Sequence, residues 1–288
     1  MLKIGFIGAG TVGTALAICL SRKGYPVVAV SSRSQTSARF LAQAIDSRPV
    51  LSNNQGVAEA AELTFITTPD DAIASVVSEI KWHRGQSVVH CSGADSTDIL
   101  ASAKKSGAYV GVFHPLQTFA GSQQAIENMP GTTFALEAEE PLLDTLKEMA
   151  TALGGHWIVL KAEDKVIYHA AAVFACNYLV TLVKLAGDLW QTFGISPETA
   201  SQALLPLLKG TINNMATVGI PECLTGPIAR GDTGTVKKHL RALKKAAPDL
   251  VASYRELGLK TIPIAVAKGK INQEQAGQLE AILRQATD

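Results

Sequence analysis

The chain has 288 residues, 47% of them hydrophobic, with a net charge of +1 and an isoelectric point near 7.7. That length supports two domains with separate cores, and the near-neutral balance gives no general attraction to nucleic acid or to an anionic membrane. The longest apolar run, Ala170 to Cys176, is too short to span a bilayer, and the N-terminus lacks a signal-peptide layout. Cys19, Cys91, Cys176 and Cys223 lie far apart without metal-type spacing, which predicts free or buried thiols, no metal and a cytoplasmic protein.

In chain order, a short apolar strand at Leu2–Ile7 enters the turn Gly8-Ala9-Gly10-Thr11-Val12-Gly13, and an Ala/Leu-rich helix follows directly. This is a dinucleotide fingerprint in its strand–turn–helix setting. Gly8 is expected to make the tight turn, Gly10 to admit a pyrophosphate, and Gly13 to let the helix pack on the strand. The helix N-terminus adds N–H donors and a positive dipole end. Further strands are predicted at Pro26–Ser31, Leu63–Thr67, Ser87–Cys91, Tyr109–Phe113, Thr132–Leu136 and His156–Leu160. Amphipathic stretches at Ser37–Ile45, Asp70–Ile80, Ser96–Ser106 and Pro141–Leu153 separate several of them, as in βαβ units.

Cofactor choice is read at the second strand's end. An acidic residue that takes the NAD ribose stands about 20 residues after the glycine turn in such folds. Here the residues are Ser31, Ser32, Arg33 and Ser34, which favour NADP through a 2′-phosphate on Arg33; the alternative is a solvated arginine. Thr67-Thr68-Pro69 and Cys91-Ser92-Gly93 end later strands and are expected to face the cofactor. Asp70 and Asp71 serve either a ligand or the helix dipole.

After a further strand, His114 offers an imidazole donor to a substrate carbonyl, or simply fixes its own loop, with Gln117 beside it as a substrate contact. From Ala162 to Phe193 one long helix is predicted, apolar on more than one face and therefore buried against other helices or a second subunit. It carries Lys165 and His169 on one face, and Asn177, which needs hydrogen-bond partners if buried. Ser196-Pro197 opens a helix to about Val218, and a glycine-rich loop follows with Thr225, Gly226 and Arg230 as candidate substrate contacts. Asp232 caps Thr233–Ala246, Pro248 starts a helix to about Leu257, and Asn272 with Gln275 forms a capping box. The expected fold is α/β, with a Rossmann domain of mainly parallel sheet over residues 1–160 and an all-α domain over 161–288.

The segments His90–Ala94 (HCSGA), Phe113–Phe119 (FHPLQTF), Tyr168–Leu179 and Leu224–Leu240 carry a family likeness. On them the chain resembles the pyrroline-5-carboxylate reductase and 6-phosphogluconate dehydrogenase-like superfamily. Within it, the chain is similar to a bacterial group of Rossmann-like proteins with a helical C-terminal domain of unknown function. Some members look like alternative ketopantoate reductases, which implies NADPH-dependent reduction of a 2-oxo acid. The resemblance also implies a helical half like the 6-phosphogluconate dehydrogenase C-terminal domain, and places Thr225 in the substrate loop of pyrroline-carboxylate reductases. Related hydroxyacid dehydrogenases use a helix lysine with an asparagine one turn later. Asn177 fits the asparagine, but Val173 stands at the lysine position, so His169, His114 or Lys165 must supply any side-chain acid.

The expected activity is therefore NADP(H)-dependent reduction of a small 2-oxo acid, with His114, His169, Asn177 and Thr225 catalytic and the site between the two domains. An imine reductase of pyrroline-5-carboxylate type and a non-catalytic NADP(H)-sensing module are the alternatives. A homodimer through the helical domain is expected, with no nucleic acid or membrane partner.

Overall fold

The computed structural model describes residues 2–285. Its contacts divide the chain into Met1–Cys176 and Asn177–Asp288. The boundary falls after the helix that begins at Lys165, later than the expected 160/161.

The first unit alternates strands and helices. They are β1 (Ile4–Ile7), α1 (Thr11–Arg22), β2 (Val27–Ser31), α2 (Gln35–Gln43), β3 (Val50–Leu51), α3 (Asn54–Ala60), β4 (Leu63–Ile66) and α4 (Asp70–Ser78). There follow β5 (Ser87–His90), a 3₁₀ turn at Thr97–Leu100, α5 (Ala101–Lys105), β6 (Tyr109–Leu116) and α6 (Ser122–Glu127). The unit closes with β7 (Thr133–Ala138), α7 (Leu142–Ala152), β8 (His156–Val159) and α8 (Lys165–Ala175). The eight strands form one sheet in the order β3-β2-β1-β4-β5-β6-β7-β8. Every pairing is parallel except β6 with β7.

The central strands β1 and β4 are buried at every residue, which explains their unbroken apolar sequences: a parallel strand has helices on both faces. Phe6 stacks on Phe65 at 5.0 Å, Phe65 meets Phe113 edge-on at 5.8 Å, and Phe113 stacks on Phe134 at 4.6 Å. This aromatic run ties the antiparallel β6–β7 pair into the same core as α1 and α7.

β6 is longer than the expected Tyr109–Phe113. It pairs with β5 only as far as Val112, but β7 continues the ladder through His114, Pro115 and Leu116. Pro115 is tolerated because β5 no longer runs beside it. His114 therefore sits in a strand extension, not in the loop that was expected.

The single helix expected from Ala162 to Phe193 is interrupted. A 3₁₀ turn at Ala162–Asp164 precedes α8, and Cys176 leaves helical geometry at φ −113°, ψ −67°. Nor is its apolar surface buried within the chain: Val166, Ile167 and Phe174 are exposed on α8. By length and composition Ala162–Gln191 suffices to cross a membrane, the most apolar 18 residues within it having a mean hydropathy of 1.7. Counting uninterrupted apolar residues misses this because His169 and Asn177 break the run while the average over those 18 residues stays high.

The second unit is helical: α9 (Asn177–Gln191), α10 (Pro197–Val218), a 3₁₀ turn at Ile228–Arg230, α11 (Thr233–Ala246), α12 (Val251–Ala267) and α13 (Gln273–Arg284). The expected caps are present. Ser196 accepts from Thr199 N–H, Asp232 from Thr235 N–H at 2.9 Å, and Asn272 with Gln275 closes a capping box. α12 runs past the expected end at Leu257 and through Pro263 to Ala267. Gly258, Ile262 and Ala265 continue one buried face at helical spacing, so core packing outweighs the proline.

Candidate functional site

The glycine turn between β1 and α1 divides its three glycines by function. Gly8 has φ +112°, and a Cβ there would lie 2.6 Å from the Thr67 carbonyl. A Cβ on Gly13 would collide with Thr67 Oγ1 and the Gly8 carbonyl oxygen, so helix and strand ends touch there. A Cβ on Gly10 would meet nothing within 4 Å. Two glycines are thus required by the fold, and the third faces open space. Gly10 is also the N-cap of α1 and places no side chain on the helix's first N–H groups, while Thr11 and Val12 form its opening turn.

Beside this turn lies a cavity of about 550 Å³. Gly8, Ala9, Gly10 and Thr67 form one wall; Ser32, Arg33, Thr68 and Pro69 form others. Thr68 Oγ1 is buried without a hydrogen-bond partner. Ser31 turns away, donating to Asn54 Oδ1 at 2.7 Å, and lines an adjoining cavity that Ser32 and Arg33 share. An N-terminal helix end, an arginine, and an orphaned hydroxyl in one cavity fit a dinucleotide phosphate chain and a 2′-phosphate.

Beyond β5, His90 is fully buried. Its Nδ1 accepts from Ser92 N–H at 3.1 Å and its Nε2 lies 3.1 Å from the Ser96 carbonyl, which assigns the proton to Nε2. Burial pushes its pKa down to about 4. Ser92 Oγ lies 2.8 Å from Asp70 Oδ2 and 2.9 Å from Asp95 Oδ2. The expected cofactor contact of Ser92 is therefore committed to two carboxylates, and Asp70 does more than face the α4 dipole. Burial and the neighbouring Asp70 raise the pKa of the Cys91 thiol, so it is not a thiolate.

Gly93 permits the next contact. A Cβ there would come within 2.8 Å of both His114 Nε2 and His169 Cδ2. The two imidazole rings stand 6.4 Å apart, and His114 Nδ1 lies 2.9 Å from the Tyr168 hydroxyl. Burial first, then the proximity of Lys165, His169 and His90, pushes His114 down to about 4. Burial pushes Tyr168 up to about 12. Near neutral pH both groups are uncharged. With the phenol donating to Nδ1, the imidazole keeps its proton on Nε2, on the Gly93 side.

Lys165 begins α8 and is 1% exposed. Burial lowers its pKa, opposed by Glu137, Asp95, Cys91 and Asp70. Glu137 Oε1 accepts from Thr97 N–H and Oγ1, while its Oε2 is buried without a partner. The structure thus brings His114, His169 and Lys165 together. Tyr168 and Glu137 were not singled out in the sequence, and His90 only as the first residue of the strand end His90–Ala94. The available signal for Tyr168 was its place beside His169 on one helix.

Gln117 does not join them. It is exposed, and its amide bonds the Asn128 carbonyl and Thr118 N–H, fixing its own loop. In the second unit Asn177 is exposed at the start of α9, so the partners expected for a buried amide are not required. Thr225 and Arg230 are exposed, and Gly226 has φ +97° with open space around it.

Residues 1–115 match a Rossmann-like domain, and residues 132–261 match a domain of unknown function, DUF2520. The family matches do not follow the division into two units, since the second of them straddles it. Over 215 residues the chain is 28% identical to 2-(hydroxymethyl)glutarate dehydrogenase of Eubacterium barkeri, covering 70% of this chain and 68% of that protein. A structure from Bacteroides fragilis, provisionally assigned as an NADP oxidoreductase, is 27% identical with a TM-score of 0.70, covering 91% of this chain and 98% of that one. A pyrroline-5-carboxylate reductase from Coxiella burnetii shares the fold at 18% identity and a TM-score of 0.60, covering 96% and 98% of the two chains.

Proposed function

We propose that this chain, which joins a Rossmann-like domain to DUF2520, is an NADP(H)-dependent oxidoreductase that reduces a small 2-oxo acid of the ketopantoate type. The N-terminus of α1 and the open space at Gly10 would hold the pyrophosphate, and Arg33 with Ser32 the 2′-phosphate. The resemblance to a protein provisionally assigned as an NADP oxidoreductase supports that choice. NADPH, when bound, supplies a hydride.

The observation that carries the catalytic reading is the neutral His114, tied through Nδ1 to Tyr168 beside Gly93. A neutral imidazole donates a hydrogen bond from Nε2 to the oxygen on which charge develops and keeps its proton, while water supplies the proton that completes the hydroxyl. Tyr168 fixes the ring's tautomer and orientation. The ring of His169, one residue on, stands 6.4 Å from that of His114 and also faces Gly93. For Asn177, Thr225, Gly226 and Arg230 the proposal is a substrate-binding role resting on their chemistry, tested by the KM of single variants.

The deciding experiment follows NADPH absorbance at 340 nm with ketopantoate and pyrroline-5-carboxylate in turn, and NADH as control. Oxidation with ketopantoate, reduced about a hundredfold in His114→Phe, is expected. Oxidation with the imine alone favours the second reading, which the shared fold with a pyrroline-5-carboxylate reductase supports. NADPH binding without turnover of either would favour the sensing module.

We also propose a cytoplasmic homodimer through the helical unit. Leu179, Val183, Leu205, Leu208 and Ile212 line an apolar groove of about 760 Å³ between α9 and α10. Lys184 and Asp188 border it as a pair that a second copy could exchange across a two-fold axis. Light scattering giving a monomer at micromolar concentration would contradict this.

A further inference from the structure

We infer that the helical unit carries a second binding cleft, for a small phosphate-bearing anion, built by α11, α12 and α13. The cleft has a volume of about 360 Å³, and Lys237, Arg241, Lys244 and Arg255 line it over the apolar Leu240 and Ile282. Its origin is visible in α11. Val236, Leu240 and Leu243 turn into the core, and a cation follows each of them by one position. Lys237, Arg241 and Lys244 therefore form a stripe along the edge of the core seam. No acidic residue stands between Thr233 and Ala246, so the helix itself offers Lys237 and Arg241 no i, i+4 carboxylate partner.

Lysines in a last helical turn commonly serve the helix dipole, and that accounts for Lys244 and Lys245. It does not account for Lys237, for Arg241, or for an arginine arriving from another helix. The Nε of Arg255 is buried and has no hydrogen-bond partner. Lys237, Arg241 and Arg255 take part in none of the ion pairs among the described residues, and Glu280 of α13 is already held by Arg284 at 2.7 Å. A buried donor lacking an acceptor is costly, and an anion seated in the cleft supplies one. Two guanidinium groups with flanking ammonium groups suit phosphate oxygens, which accept from planar donor forks. The small concave shape and apolar floor suit a phosphate on a compact organic body better than an extended strand.

The test is calorimetric titration of the full chain with inorganic pyrophosphate, in a Gly10→Val background so that the glycine turn is not read. One site per chain is expected. Arg255→Gln and the exposed Arg241→Gln should each weaken binding at least tenfold, with the unfolding midpoint of Arg241→Gln unchanged. Lys260→Gln, exposed on α12 and outside the cleft, should leave binding unchanged. Absence of binding, or equal weakening by Lys260→Gln, overturns the proposal. So does a single-stranded oligonucleotide that binds more tightly through the same arginines, since that would make the stripe a nucleic-acid surface.

Discussion

Acidification from pH 7.5 to 5.0 should destabilise the first unit by about 4 kcal/mol through His90 and His114 alone. The ordinary histidine pKa is 6.5, and in the fold both lie at about 4. Between those values the unfolded chain binds protons that the folded state refuses, so proton uptake favours unfolding. The contribution of the two neutral rings is complete above pH 6.5, is lost as pH falls, and stops falling below about 4. Each pH unit in that window is worth about 1.4 kcal/mol per histidine, so pH 5.0 costs about 2 kcal/mol for each ring. Against a typical total stability of about 5–15 kcal/mol this is a large change. Trp82 reports on this unit: it is 5% exposed, and its indole N–H donates to the Val77 carbonyl at 2.8 Å. Urea unfolding followed by Trp82 emission, at both pH values, gives the difference. In the double variant His90→Gln, His114→Gln the acid loss should shrink by about 4 kcal/mol. An equal loss in wild type and double variant would refute the assignment of neutral, buried rings.

Three further outcomes follow from the same geometry. Gly13→Ala should lower stability by about 1–3 kcal/mol in thermal unfolding, because its Cβ meets Thr67 Oγ1 and the Gly8 carbonyl. Tyr168→Phe should reduce kcat roughly tenfold with little change in KM, the worth of one hydrogen bond to His114. An unchanged kcat there would mean the phenol does not orient the imidazole. Arg33→Gln should weaken NADPH binding by about 1.5–3 kcal/mol and leave NADH binding unchanged, read by competition titration.

What could be read from the sequence was local. The glycine turn, the capping residues at Ser196, Asp232 and Asn272, and the apolar runs of β1 and β4 each carry their signal within a few residues. β3 has two residues and shows no period. The extension of β6 through His114 depends on β7, some twenty positions later in the chain, to continue the ladder. Tyr168 meets His114, and Glu137 acts on Lys165, only through the tertiary fold. Pro263 reads as a helix stop, yet the face formed by Gly258, Ile262 and Ala265 carries the helix through it. Exposed apolar residues on α8 and α9 resemble core in a sequence, because periodicity does not tell which partner covers a face.

In the proposed complex the open space at Gly10 receives the pyrophosphate of NADPH. Gly10 has φ −76° and ψ −174°, extended backbone that valine adopts, and its Cβ would touch nothing within 4 Å. Fluorescence titration with NADPH, on wild type and Gly10→Val, measures this. Saturable binding by the wild type is expected, at least a hundredfold weaker in the variant, with the unfolding midpoint unchanged. Equal binding by the two proteins would contradict it.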